Sequence, residues 1–410
     1  MLLTRRGDKP LTGKFLHLTD IHLDPYYVEG SDPGKLCHRK NKKKKKNTAG
    51  KYGALSTDCD SPIPLVDASF AFMKNQLQDI DFIIYTGDTA RHDRDDDLPR
   101  TDKDVLDEHK MVINYFQKAY DMSTIPLVPT IGNNDMFEHN DVSTKDKIYK
   151  KLKEIWQPLH LNLNDNFQTD GYFTQDVVPG LQIINTNSMY FYKKNSDVED
   201  CDNSNSPGAK QLKWMKQSLE KAKKEKKRVY VMGHIPPNDD DDSLLFRSEC
   251  HEQYYKLIGQ YGSIIAGHFT GHTNNDMLTA VVENGKSFKH ISALDDGDNL
   301  KDHKIGKVAT MLFNAPSLIP VNNPAIRVYH YATSNSKNAS LGTILDWEQY
   351  YVDLEKANKK GRVKFELEYQ ASKIYNINKF DATGISTVFK TLQVNEKIRK
   401  LYGQFVTVSD

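Results

Sequence analysis

The chain has 410 residues and a formal net charge of +1, a length that suits one large or two ordinary domains. At 38% hydrophobic it can bury a core, and no apolar run approaches the ~20 residues that a membrane span needs. The opening Met1-Leu-Leu-Thr-Arg-Arg holds no apolar stretch long enough for a signal peptide, so any export address is expected upstream.

The first apolar run, Phe15–Thr19, ends in Asp20-Ile21-His22. A carboxylate and an imidazole two residues apart point to one side where a buried strand runs into a loop, which offers two ligands to one metal ion. Five lysines, Lys42, Lys43, Lys44, Lys45 and Lys46, follow between Asn41 and Asn47. Like charges in a row repel one another and read as a solvated, mobile loop, though the same block has the charge to hold a polyanion. A helical stretch, Leu65–Leu77, leads to a second apolar run, Phe82–Thr86, which ends in Gly87-Asp88. The acidic runs Asp93–Asp97 and Asp239–Asp242 read as solvated loops, and further basic clusters lie at Lys221–Arg228 and Lys356–Lys364.

Helical spacing over Asp104–Tyr120, Ser143–Trp156 and Ala209–Lys221 is interleaved with apolar runs at Pro126–Ile131, Leu181–Asn185, Val229–Met232 and Ile264–Ala266. Strands alternating with helices predict an α/β core. Beyond His272 the pattern turns to strands at Met277–Val282, Val308–Phe313, Ala325–Tyr331, Gly342–Val352 and Lys364–Tyr369, which predicts a second, largely antiparallel sheet. A last helix is predicted over Ile385–Tyr402. With no repeat and no clean linker, the expected organisation is one two-sheet domain, 12–334, with a C-terminal extension, 335–410, packed on it.

Cys37, Cys59, Cys201 and Cys250 lack Cys-x-x-Cys spacing. An even number in polar surroundings fits two disulfides and an oxidising compartment; four free thiols in a reducing one is the alternative. Asn338-Ala339-Ser340 is a glycosylation acceptor and leans towards the first.

Five clusters fall at the C-terminal ends of predicted strands, where open α/β sheets place their ligand sites. They are Asp20-Ile-His22, Gly87-Asp88, Gly132-Asn133-Asn134-Asp135, Gly233-His234 and Gly271-His272-Thr-Asn274. The glycines are expected to turn the backbone sharply so that short side chains reach an ion. Carboxylate and carboxamide oxygens mixed with imidazoles suit a pair of Mn, Fe, Co or Zn ions rather than a structural thiolate zinc. Taken singly, Asn133 also reads as a turn residue and His234 as a satisfied histidine near the core. Five clusters in order argue for a metal centre.

This order resembles the calcineurin-like metallophosphoesterases over nearly the whole chain. The resemblance implies a four-layer α-β-β-α sandwich of two mixed sheets that holds two divalent metal ions (Mn, Mg, Co, Zn or Fe). One ion takes Asp20, His22 and Asp88; the other takes Asp88, Asn133, His234 and His272. The family's last motif, Gly-His-x-His, supplies a further histidine to the first ion. Here that position is Asn274, a harder and weaker ligand that favours Mn or Mg over Zn. His268, close by, is expected to be structural. A second departure is Asn134, where the family carries a histidine that assists the leaving group. A leaving phosphate, with a second pKa of about 6, departs unprotonated, so Asn134 points to a phosphoanhydride substrate. Alternatively His92 or His139 takes the missing histidine's place.

Asp20–Tyr27, Tyr52-Gly53 followed by Asp58-Cys59-Asp60-Ser61-Pro62, and Gly87–Asp93 are similar to the acid sphingomyelinase-like branch of the family. Within it, Gly132–Asp135, the Gly-His-x-Asn ending and Arg327-Val-Tyr-His-Tyr331 look like the fungal vacuolar endopolyphosphatases. That resemblance implies cleavage of internal phosphoanhydride bonds of inorganic polyphosphate by a metal-bridging hydroxide, with His92 on the substrate phosphate. It further implies Cys37–Cys59 and Cys201–Cys250 disulfides, a vacuolar lumenal domain reached by the secretory pathway, and a membrane anchor upstream. Nucleic acid is not an expected partner, and a homo-oligomer is compatible with the sequence. Two rivals stand beside this reading. One is a sphingomyelinase-like phosphodiesterase for lipid or nucleotide esters; the other is a polyanion-binding phosphoesterase without turnover.

Overall fold

Strand β1 (Thr12–Leu18) is buried from Phe15 onwards and carries the first candidate ligands beyond its end. It belongs to a computed structural model that describes residues 11–293 and 306–409; Met1–Arg6, read above for a leader, and Asp410 lie outside the described residues. Beside β1 run β4 (Phe82–Tyr85) and β5 (Leu127–Pro129), parallel to it. On its other side lie β13 (Ala325–Ala332), β14 (Ile344–Tyr351) and β15 (Glu366–Gln370), each antiparallel to its neighbour. Among the described residues this sheet has the order β15-β14-β13-β1-β4-β5.

A second sheet is built from β6 (Phe173–Val178), β7 (Leu181–Asn185), β8 (Arg228–Met232), β9 (Ile265–Thr270), β10 (Met277–Asn284), β11 (Ser287–Ser292) and β12 (Lys307–Asn314). Its order is β11-β10-β12-β9-β8-β7-β6, with β7, β8, β9 and β12 parallel. Two short strands, β2 (Leu23–Asp24) and β3 (Ser61–Pro62), pair in parallel outside both sheets.

The two sheets pack face to face through aromatic rings. Phe15 stacks on Phe82 at 4.8 Å and on Tyr329 at 4.9 Å within its own sheet, and meets Phe269 of the other edge-on at 5.5 Å. Strand β4 reads Phe-Ile-Ile-Tyr without alternation because both of its faces are covered. Helices α1 (Ile63–Gln76) and α2 (Asp102–Ala119) cover the first sheet, Phe116 packing on Tyr85 at 5.6 Å. A Thr101–Asp104 capping box starts α2. Helices α3 (Lys147–Ile155) and α4 (Asp165–Asp170) follow β5. The second sheet is covered by α5 (Pro207–Lys224) and α6 (Ser248–Gln260). Four layers result, in the order α-β-β-α. No helix among the described residues is long and apolar enough to cross a membrane.

Three expectations give way. The strands beyond His272 do not make a sheet of their own: β10–β12 join β9, and β13–β15 join β1. Alternation of hydrophobicity marks a strand but not its partner; the partner is chosen by side-chain fit, as where Phe15 lies opposite both Phe82 and Tyr329. After α7 (Leu354–Lys360) and α8 (Ala371–Tyr375), the last predicted helix is two: α9 (Ala382–Val394) and α10 (Glu396–Val406). Asn395 stands extended between them and its side chain accepts from Ile398 N at 3.2 Å, a local bond that competes with continuing the helix.

The charged runs are also more ordered than like-charge repulsion suggests. Lys44–Lys46 form a single turn closed by Asn41 N donating to Asn47 Oδ1 at 2.7 Å and Asn47 Nδ2 donating to Asn41 O at 3.1 Å. In the first acidic run Asp95 is buried, held by both guanidinium nitrogens of Arg39 at 2.7 and 2.8 Å and by His38 at 2.5 Å. Both implied disulfides, Cys37–Cys59 and Cys201–Cys250, are formed.

Candidate active site

The parallel strands of the two sheets deliver their C-terminal ends to one rim. Beyond β1 lie Asp20 and His22, beyond β4 Asp88, beyond β5 Asn133 and Asn134, beyond β8 His234, and beyond β9 His272 and Asn274. All five sequence clusters therefore meet at one place.

The backbone there is strained at the candidate ligands themselves. Asp20 (φ 49), His22 (41), Asp88 (57), His272 (72) and Asn274 (62) all lie in the left-handed region. Such conformations cost on the order of 1–3 kcal/mol each and persist where the surroundings over-determine them. The sequence pattern assigns the turning to the glycines. Two of these serve close approach instead: a Cβ on Gly132 would strike the Asp88 carboxylate, and one on Gly271 would strike Thr19 and Asp20.

Asp20, His22 and Asp88 each bring a ligand atom within 4.8 Å of the others, and so do Asp88, His234 and His272. Asp88 belongs to both groups. His22 Nδ1 donates to Ala90 O at 3.1 Å and His234 Nδ1 donates to Thr86 O at 2.7 Å. In their neutral form these rings present Nε2 as an acceptor to the site. His22 Nε2 faces Asp88 Oδ2 at 3.3 Å and Asp20 Oδ1 at 3.6 Å. His234 Nε2 faces Asp88 Oδ2 at 3.2 Å, Asn133 Oδ1 at 3.0 Å and His272 Nδ1 at 3.3 Å. Asp20 Oδ1 and Asn274 Oδ1 are buried without a hydrogen-bond partner.

Acceptors gathered in this way repel one another unless a cation sits among them. Burial opposes a charge on His234, yet Asp88 and Asp20 outweigh it and push the imidazole up to about 9. Burial and His234 push His272 down to about 3. Two divalent cations fit this set of oxygens and imidazoles, and the histidine tautomers are already fixed by backbone carbonyls.

Asn134 N donates to Asp88 Oδ1 and Asn134 Nδ2 donates to Asp88 Oδ2, both at 2.8 Å. Both Asp88 oxygens are thus held by one residue. Asp135 ties the loops together, accepting from Asp88 N at 3.0 Å, Thr89 N at 2.7 Å and Gly132 N at 2.8 Å. Above them opens a cleft of about 170 Å³. One part of its wall carries His92, stacked on His22 at 4.2 Å, and His139, whose Nε2 accepts from Asn133 Nδ2 at 3.2 Å. Burial pushes His139 down to about 4, so the ring is neutral at pH 7. His92 Nδ1 lies 2.6 Å from Asp60 Oδ1. Burial, opposed by Asp60, holds that ring below its ordinary value, while His92 and His22 outweigh burial and bring Asp60 down to about 2.

Asn140, Tyr192, Arg94 and Lys194 complete the wall. Lys42–Lys46 line no part of it. His268 is buried elsewhere and its Nε2 lies 2.6 Å from Tyr254 OH.

Several contributors escaped the sequence reading. Asp60 lies in the quoted Asp58–Pro62 stretch, beside Cys59, but gave no sign of reaching His92. Arg94 is hidden in an acidic run, and Lys194 carries no local signal. Arg327, quoted as part of a motif, is buried and ion-paired with Asp276 at 2.6 Å, which fixes the exit of the loop that holds His272 and Asn274.

The calcineurin-like phosphoesterase family matches residues 13–273, and the acid sphingomyelin phosphodiesterase C-terminal region matches residues 308–410. An endopolyphosphatase of Cryptococcus neoformans var. neoformans is 33% identical over 301 residues, 65% of this chain and 44% of its own. One of Neurospora crassa is 35% identical over 279 residues, 65% of this chain and 38% of its own. Sphingomyelinase phosphodiesterase C of Dictyostelium discoideum is 28% identical over 379 residues, 89% of this chain and 78% of its own. The chain thus spans under half the length of the two fungal relatives. With its two mixed sheets, a rim of ligand-bearing strand ends and a family match across more than half of its residues, the chain belongs to the calcineurin-like phosphoesterases.

Proposed function

We propose that the cleft hydrolyses internal phosphoanhydride bonds of inorganic polyphosphate. The observation that carries this reading is Asn134, whose amide is committed to Asp88 and offers no proton to a leaving group. A departing phosphate chain needs none, because its terminal group has a second pKa of about 6; a departing alkoxide does. The names of the fungal relatives support the same substrate.

In this reading Asp20, His22, Asp88 and Asn274 hold one divalent ion, and Asp88, Asn133, His234 and His272 hold the other. Bound there, the two ions supply a water acidified towards neutrality and positive charge against the phosphoryl oxygens. Asp88 fixes the spacing of the two positions, and Asn134 fixes Asp88. His92, anchored through Nδ1 on Asp60, presents Nε2 to the substrate phosphate and donates to it when the ring takes up a proton beside that anion. Water oxygen bonds to one phosphorus, the bridging oxygen leaves with its bonding electrons on the departing chain, and the released proton passes to solvent. Lys42–Lys46, outside the cleft, serve as a capture patch for long chains. The disulfides fit folding in an oxidising compartment. The proposal extends to a vacuolar lumenal domain, membrane-anchored in the full-length protein, as the resemblance implies.

A second reading, a phosphodiesterase for lipid or nucleotide esters, is favoured by the match of residues 308–410 and by the coverage of the Dictyostelium relative. A product-length gel on long-chain polyphosphate, run with several divalent metals beside an alkyl phosphodiester, separates the two. A ladder of intermediate lengths supports the first reading. Monophosphate alone removes internal cleavage, and faster turnover of the ester supports the second.

A further inference from the structure

Two permanent cations outside the ligand set, Arg94 and Lys194, line the cleft. Arg94 bears electrostatically on His92, the ring stacked on His22, and on His139. Lys194 bears on His272, which meets His234. One cation therefore borders each of the two ligand groups that share Asp88.

Both are carried on anchored backbone. Asp93 Oδ1 accepts from Arg100 N at 2.9 Å and Asp95 is held by Arg39, so residue 94 lies between two fixed neighbours. Lys193 N donates to Leu245 O at 2.9 Å. Asn195 is buried, and its amide donates to Val142 O at 3.0 Å and Met189 O at 2.9 Å. The charged ends, in contrast, are open to a ligand or held only by an exposed pair. Lys194 pairs with no carboxylate among the described residues, and Arg94 meets Asp58 at 3.3 Å in a pair whose carboxylate is 78% exposed. An exposed pair of that kind is easily exchanged for a stronger anion.

A single phosphoryl group held between the ligand groups has no need of two outlying cations. A linear chain with about one negative charge per unit does, because the units before and after the bond being cut each need a counter-charge. We propose that Arg94 and Lys194 are flanking subsites for the phosphate units on either side of that bond, so that the cleft takes the interior of a chain rather than its end. The inference rests on the polyphosphate reading and deepens it. An ester of an uncharged alcohol engages one cation at most.

The test uses the metal-loaded protein with Arg94→Gln, Lys194→Gln and the double variant, each checked for unchanged thermal unfolding. Kinetics on long-chain polyphosphate and on an alkyl phosphodiester are measured in parallel. Calorimetry measures binding of a methylene-bridged triphosphate, which is not hydrolysed at that bridge. Each single variant should lower kcat/KM on polyphosphate about tenfold and weaken the triphosphate analogue by a similar factor. The double variant should lose about a hundredfold, and the ester should lose far less. Wild-type protein that cleaves polyphosphate while the variants match it, or lose equally on polyphosphate and ester, overturns the subsites and leaves the substrate standing. Wild-type protein that does not shorten polyphosphate overturns both.

Discussion

Asp88 receives one hydrogen bond on each oxygen from Asn134, so its carboxylate plane is set before any cation arrives. Asp88→Asn removes the charge that both positions share and turns an acceptor into a donor against Asn134. Metal analysis should show loss of both ions, with turnover down by at least ~10³-fold and the unfolding temperature little changed. A variant that keeps two ions per chain would remove Asp88 as the bridge. Asn134→Ala leaves the carboxylate charged and its Oδ1 still held by the backbone N–H, but removes the bond from Nδ2 to Oδ2. A hydrogen bond to a charged group is worth about 1.5–3 kcal/mol, and losing such support weakens metal affinity by roughly 10–100-fold. A chelator-competition titration measures this, and unchanged affinity would mean that the Asn134 side chain does not orient Asp88. The ligand candidates were legible in the sequence because each ends an apolar run. Asp60 and Lys194 were not, since their relation to His92 and His272 exists only after distant loops meet.

Helix α2 carries a buried Glu108 whose Oε2 accepts from Arg91 N at 3.0 Å, while the Arg91 guanidinium stands 3.9 Å away, too far for a hydrogen bond. Burial therefore wins and pushes the carboxyl up to about 8 from an ordinary 4.5. Between those values the folded chain holds a proton that the unfolded chain has released. Stability from this group is full below about 4.5 and falls as pH rises towards about 8, by up to ~5 kcal/mol. Glu108→Gln should flatten that slope and raise the unfolding temperature most at the alkaline end. An unchanged slope across pH 5–8 would assign the loss to another group. The lysine turn makes a different prediction. Replacing Lys42–Lys46 with serine should raise KM for long polyphosphate and flatten its salt dependence, through lost counterion release. Very short chains should be almost unaffected; an equal response from long and short chains would leave the turn as solvated surface. At this scale the sequence conveyed charge and period well. It did not convey that Asn41 and Asn47 close the turn, or that Asn395 breaks a continuous helical pattern, because short side chains do this through single backbone bonds.

Across the whole molecule, the Cys37–Cys59 disulfide secures a segment that holds His38 against Asp24 at 3.0 Å and leads directly into Asp60. Replacing both cysteines with serine should cost about 2–5 kcal/mol of stability. Activity should fall at temperatures where circular dichroism still reports a folded chain, because Asp60 is released before the sheets are. Coincident loss of both signals would show that the segment has no local freedom. The alternation of strands and helices was visible along the chain, but the division into two sheets was not, since it depends on β1 pairing with β13, which is distant in sequence.

That partnership governs how the protein can be made. Phe15 pairs with Tyr329, so β1 remains a bare sheet edge, apolar and open to any passing strand, until β13 has left the ribosome. Everything else at the rim, from Asp88 to Asn274, is synthesised while that edge waits. A nascent chain halted after Asn314 holds every candidate metal ligand and lacks the strand that closes the sheet beside Asp20 and His22. Such a chain is a substrate for chaperones and for self-association, and the rim is buttressed on this side only once β13 has emerged.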